Sequence, residues 1–176
     1  MGYSRSLTSN GNPCRELWEL VFLKENIMEQ YIITPLHSVG EIRFGMERAD
    51  ARKILGEFSE YKNHQQDNNT ADSFDICQVF YDDDNRVEFI MFHGLDEVEL
   101  RWGNKTLNNM TKDELFEFFS TLDEDLAIET DEESFESNKL GIACYFVSDI
   151  YFDEEGNEKE YDKLETISFA IANYWK

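Results

Sequence analysis

Basic residues are scarce in this sequence. Sixteen Lys and Arg stand against 38 Asp and Glu, and the formal net charge is −22. Such a field repels phosphate, which excludes nucleic-acid binding and favours basic partners. Cysteines are few too: Cys14, Cys77 and Cys144, with no CxxC spacing. An odd count without a secretory signal excludes a disulfide framework and fits reduced thiols in a cytosol. The three histidines, His37, His64 and His93, are isolated from one another and from cysteine or carboxylate at ligand spacing. That removes the basis for a zinc centre or a Cys–His nucleophile. No apolar run approaches the roughly 18 residues that span a membrane. The N-terminus lacks the apolar stretch and cleavage site of a signal peptide, so the expectation is a cytoplasmic protein with no membrane partner. Gly2 followed by Ser6 fits the myristoylation pattern, but that pattern is short and the reading favoured is a plain N-terminal extension. GxGxxG, GxxxxGK[ST] and GxSxG are all missing, and no cofactor is implied.

What is present is enough apolar and aromatic residue for one folded core: 41% hydrophobic, with 14 Phe, 8 Tyr and 3 Trp among 176 residues. "NPCRELWELVFLKENIMEQY" reads as a helix, capped by Asn12 with Pro13 in its first turn. Met28 resembles a natural start, so residues 1–27 form an N-terminal extension and residues 28–176 a single α+β domain.

Within that domain "EIRFG" alternates as a short strand, and "MERADARKILGEF" is a helix stopped by Gly56. Met46, Ala49, Ile54 and Leu55 mark its apolar face. "HSVG" reads as a turn and "YKNHQQDNNTADS" as a polar loop. "FDICQVFY" and "RVEFIMFHG" form a hairpin around "DDDN". Then "EVELRWG" is a strand, and "MTKDELFEFFSTL" a helix opening with the Thr111–Glu114 capping box. Its apolar face is Leu115, Phe118, Phe119 and Leu122. "DEDLAIETDEESFESNKLG" is an acidic connector with a short strand near Leu126. A last hairpin joins "IACYFVSDIYF" to "LETISFAIANYW" through the turn "DEEGNEKEYDK".

The order suggests repetition. Ile42–Gly45 match Leu100–Gly103, Cys77 matches Cys144, and Arg86–Phe92 match Lys163–Phe169, with offsets that only grow. The expectation is two related β-α-β-β halves, about 36–95 and 96–176, forming an antiparallel sheet with helices packed on one side.

Residues 110–165 hold 19 acids and 4 bases. Carboxylates are so many that no pair stands out as a general acid and base. The loop 153–162 lacks the EF-hand register, its glycine standing fourth rather than sixth, so no metal site is assigned. The candidate partner-binding residues are Asp82, Asp83, Asp84, Asp123, Glu124, Asp125, Glu129, Asp131, Glu132 and Glu133. Around the last seven, Leu126, Ile128 and Phe135 supply apolar anchors, although a half-buried edge strand explains them too.

"VGEIRFGMERADARKILGEF" resembles the "GM…LG" opening of small bacterial lipoproteins and inhibitor proteins with tandem α+β units. In size, acidity and two-part organisation the whole chain resembles the small acidic immunity proteins of bacterial polymorphic or contact-dependent toxin systems. That resemblance implies a non-enzymatic protein that neutralises a cognate basic toxin, a nuclease above all. Two other readings stay open: a binding module whose acidity serves solubility, and a carboxylate-dependent hydrolase.

Overall fold

The computed structural model describes residues 28–62, 70–128 and 133–175. The helix expected over residues 12–31 lies outside them except at its end, where it fails: residues 29–31 belong to a strand, because they pair with a distant strand instead of continuing a helical turn.

β1 (Glu29–Thr34) alternates as its sequence demands. Tyr31 and Ile33 are buried while Ile32 faces out. Pro35 has no N–H to continue the ladder and ends it. The expected turn at 37–40 is instead a two-residue strand, β2 (Ser38–Val39), which pairs back on β1. Gly40 then takes a φ of 58°. A Cβ there would stand 2.9 Å from the Tyr31 ring, so a side chain is excluded on both counts. β3 (Ile42–Arg43) follows, and then α1 (Arg48–Leu55).

In α1 the buried face is rotated from the expected one. Ala51 is fully buried, Ala49 is exposed, and Ile54 is 39% exposed. Arg48 and Arg52 turn inward beside Ala51. An apolar-only reading misses this, because a buried carboxylate, Asp72, draws the guanidiniums in. Gly56, at φ 87°, ends the helix with its N–H on the Arg52 carbonyl.

β4 (Ser59–Lys62) and β5 (Thr70–Ser73) take up both ends of the polar loop expected over residues 61–73, paired from Ser59↔Ser73 to Lys62↔Thr70, and residues 63–69 lie outside the described residues. β6 (Cys77–Tyr81) and β7 (Val87–Phe92) make the expected hairpin. β8 (Val98–Trp102), β9 (Lys105–Thr106) and a 3₁₀ turn, Leu107–Asn109, lead to α2 (Lys112–Ser120). The capping box of α2 is present in full: Thr111 Oγ1 accepts from Glu114 N, and the Glu114 carboxylate accepts from Thr111 N. Leu115 and Phe119 are buried, and Leu122, expected on the same face, is 39% exposed beyond the helix end. The chain finishes with β10 (Ala127–Ile128), β11 (Ser134–Ser137), β12 (Ile142–Phe152) and β13 (Glu158–Ala170).

The fold is α+β, built on two sheets. One has five strands in the order β3-β2-β1-β8-β9, and its central pair, β1 and β8, is parallel. The expectation of purely antiparallel strands fails at this pair, which needs the long crossover through α1 and β4 to β7. The other sheet has eight antiparallel strands in the order β10-β11-β12-β13-β7-β6-β5-β4.

The β6–β7 and β12–β13 hairpins are matched in register. Across their junction Ile90 faces Phe169, and Phe92 faces Ile167. Each pair becomes the other on exchanging residue 90 with 167 and 92 with 169. Each hairpin has an irregularity at the same point: Phe80/Tyr81 opposite Phe89 and Val87, and Tyr145/Phe146 opposite Thr166 and Leu164. Cys77 faces Phe92 while Ile142 faces Phe169, so Cys77 stands where Ile142 does, not where Cys144 does. In the five-stranded sheet β8 sits where β1 does, each followed by its antiparallel neighbour, whereas β3 lies at an edge.

Cross-strand partners share a face, which puts Asp72, Val79, Ile90, Phe169, Cys144 and Phe135 on one side of the large sheet. All are buried. Both helices meet that side, α1 through Arg48 and Arg52 at Asp72, α2 through Phe116 and Phe119 at Phe135. Tyr31 of the smaller sheet reaches it as well, edge-on to Phe92 at 5.3 Å. On the opposite side Tyr174 stacks on Phe89 at 4.8 Å, and Ala170 is fully buried.

Candidate partner-binding surface

The most concentrated charge in the interior is at Asp72. No part of it reaches solvent. Its carboxylate accepts from Arg48 at 2.5 and 3.0 Å, from Arg52 at 2.7 and 2.8 Å, and from the Tyr81 hydroxyl at 2.9 Å. Burial by itself would raise this carboxyl, but the bonds from Arg52, Arg48 and Tyr81 outweigh it and hold it down at about 2. Tyr81 is driven up, by burial first and then by Asp72. A carboxylate locked ionised beside a phenol locked neutral cannot exchange protons near pH 7. The cluster braces α1 on the sheet.

The matching register position beside the second hairpin is apolar instead. There α2 brings Phe116 and Phe119 against Phe135, which lies 5.7 Å from Phe146. The Lys112 ammonium lies 5.7 Å from the Phe146 ring, as the Arg48 guanidinium lies 4.8 Å from that of Tyr81. One hairpin is braced by an ion-pair cluster, the other by edge-on and tilted aromatic rings.

Among the described residues no group of three His, Cys, Asp or Glu is placed to hold a metal. A hollow of about 330 Å³ beside Leu55 and Phe74 is ringed by Glu29, Glu57, Asp75 and Glu97.

The acids singled out in the sequence divide by role. Asp82 is half-buried and accepts from the N–H groups of Asp84 and Arg86 at 3.0 and 2.8 Å, closing the β6–β7 turn. Asp83 and Asp84 are exposed beside it. Asp123 is 3% exposed. It accepts from Ser137 Oγ and from Asp125 N, with Lys139 Nζ 3.8 Å away, so it ties the end of α2 to β11. Glu124 and Asp125 are exposed. Glu133 is exposed and accepts from the Tyr145 hydroxyl at 3.4 Å. Glu129, Asp131 and Glu132 lie outside the described residues. Of the expected apolar anchors, Phe135 is 2% exposed and Leu126 packs partly against the core. Phe135 is therefore core, because β11 joins the sheet where a free connector was expected.

The registers place these groups along the sheet. The β6–β7 turn, the segment before β10 and the β11–β12 turn share one end, so Asp83, Asp84, Glu124 and Asp125 are brought to the same end. Glu133 lies at the other.

That other end carries a ribbon whose second strand begins in residues 158–163, which were expected within the turn. β12 and β13 run on past the sheet as a two-stranded ribbon, paired from Val147↔Lys163 to Phe152↔Glu158, with a turn of only residues 153–157. Asp153 closes the turn by accepting from the N–H groups of Glu155 and Asn157. Its carboxyl is lowered, first by the Asn157 N–H. Gly156 supplies the positive φ, 81°. The alternation of acids with other residues in "EKEYDK" was the available signal.

No family model matches the chain, and no curated protein or solved structure does either.

Proposed function

We propose that this chain is a non-enzymatic inhibitor of the immunity type. It captures a basic protein toxin, with a nuclease the natural target, and covers the surface that would otherwise hold phosphate. The observation that carries the reading is the gathering of exposed Asp83, Asp84, Glu124 and Asp125 at one end of the large sheet, within a chain of net charge −22. Exposed carboxylates act on association rate and selectivity more than on affinity. The reading places capture in the cytoplasm, where the free Cys77 and Cys144 stay reduced.

The product of the neighbouring gene is the partner to test. Co-expression should rescue growth, and the association rate should fall steeply between low salt and 0.5 M salt. A rate indifferent to salt would assign the acidity to solubility alone. The acid-ringed hollow at Glu29, Glu57, Asp75 and Glu97 favours a second reading, a carboxylate-dependent hydrolase. Turnover of a glycoside or ester panel that is lost in Glu57→Gln would replace the first.

We also propose that residues 28–95 and 96–175 descend from one duplicated unit, larger than β-α-β-β. The exchanged pairs at Ile90/Phe169 and Phe92/Ile167, the shared irregularities and the two cation–ring contacts support it. An experimental structure lacking either irregularity would remove that support.

A further inference from the structure

The two matched hairpins also differ in length. In the first, the chain turns as soon as it leaves the sheet, with residues 82–86, five in all, between Tyr81 and Val87. In the second, residues 147–163, seventeen in all, separate Phe146 from Leu164. The ribbon is the extra twelve. The first hairpin shows that the sheet closes without it.

The ribbon contributes little to the core. Ile150, Tyr151, Phe152 and Tyr161 are 54%, 51%, 70% and 42% exposed. Its two faces differ. Cross-strand partners put Ser148, Ile150 and Phe152 on one face with Asp162, Glu160 and Glu158. The ribbon contributes no base to this face, and Lys112 of α2 reaches its Asp162 at 3.2 Å. On the other face Tyr151 and Tyr161 lie with Lys159, Lys163 and Asp149, and the Lys163–Asp149 pair closes at 3.9 Å. The first face continues the buried side of the sheet, since Phe146 faces Leu164 one step before it.

We infer that this face of the ribbon, Ile150 and Phe152 framed by Glu158, Glu160 and Asp162, is the anchoring surface for a basic protein partner whose Lys or Arg residues flank an apolar pocket. The inference rests on the capture reading above and names where its apolar contact is made. Three things select the occupant. The face carries Glu158, Glu160 and Asp162 against the single base Lys112, so its net charge is negative and its complement is basic. Ile150 and Phe152 lie exposed in water, and a partner would desolvate them. A second copy of this chain would bring another −22 against it, which disfavours self-association through this face. The acids at the far end of the sheet steer the encounter, and the ribbon holds the complex.

The test uses the full chain and two probes: a synthetic peptide of alternating leucine and lysine, and polylysine of equal charge. Amide shifts on adding the leucine–lysine peptide should map to residues 148–152 and 158–162. That peptide should bind more tightly than polylysine, and Ile150→Ser with Phe152→Ser should weaken it at least about tenfold. Tyr151→Ser with Tyr161→Ser, on the other face, should leave affinity unchanged, and the amide spectra of both variants should keep the native dispersion. Shifts confined to 82–84 and 123–125, equal binding of the two probes, or unchanged affinity in the Ile150/Phe152 variant would overturn the ribbon and leave acidic capture standing. Self-association abolished by the same variant would assign the face to a second copy and overturn it too. If neither probe binds at all, the capture reading and the ribbon fall together.

Discussion

Replacing Asp72 with Asn removes one negative charge from the interior and leaves the shape nearly unchanged. Two guanidiniums then face a neutral amide. Removing one partner of a buried ion pair costs about 3–5 kcal/mol in general. The Arg48 and Arg52 side chains are 14% and 25% exposed, and Arg52 keeps Glu60 at 2.7 Å, so part of the loss is recovered. The low end, about 3 kcal/mol, is the expectation. The depressed carboxyl gives a second route. A fall from 3.8 to about 2 corresponds to roughly 2.5 kcal/mol in favour of the ionised form. The sign follows from the direction. The folded pKa lies below the unfolded one, so the stabilisation is full above about pH 4 and is lost as pH falls towards 2. Urea unfolding at pH 7 should show Asp72→Asn less stable by about 3 kcal/mol, which is a fall of roughly 6–12 °C in Tm for a chain this size. Repeated at lower pH, the gap between wild type and variant should narrow below about pH 4. A difference under about 0.5 kcal/mol at pH 7 would refute the brace. A gap that persists undiminished to pH 2 would show that the cost is one of shape and not of charge.

Phe135→Ala should cost about 3–5 kcal/mol, because it empties the space between Phe116, Phe119 and Phe146; a loss below 1 kcal/mol would return Phe135 to the partner surface. Asp123→Asn should lower stability by about 1–2 kcal/mol through its Ser137 and Asp125 contacts. Glu124→Gln with Asp125→Asn should leave the urea midpoint unchanged and slow capture of the basic partner, measured by stopped flow at low salt. Cys77, whose thiol burial pushes up to about 12, and Cys144, raised for the same reason, should resist iodoacetamide at pH 8 until denaturant is added. Labelling of either in the native protein, located by mass spectrometry, would contradict their burial.

Local signals determined much of this protein. Apolar patterning marked β6, β7 and β8, the Thr111–Glu114 pair fixed the start of α2, and Gly56 fixed the end of α1, whereas the start of β1 read as helix. These depend on contacts within a few residues, so composition and spacing carry them. The acidity and the missing catalytic motifs are likewise properties of the chain alone.

Tertiary structure decided what depends on residues far apart in sequence. Arg48 and Arg52 looked like the polar face of α1 because their partner, Asp72, lies 24 and 20 residues on. Asp123 and Phe135 looked like a binding segment because Ser137, Phe116 and Phe146, which claim them, meet only when β11 enters the sheet. β4 and β5 are short and polar, and pairing alone makes them strands. The first strand of the ribbon was legible up to Phe152, but only its register against residues 158–163 shows that it pairs beyond the sheet and stays exposed. Burial is a pairwise fact about positions in space, and a sequence states positions only along a line.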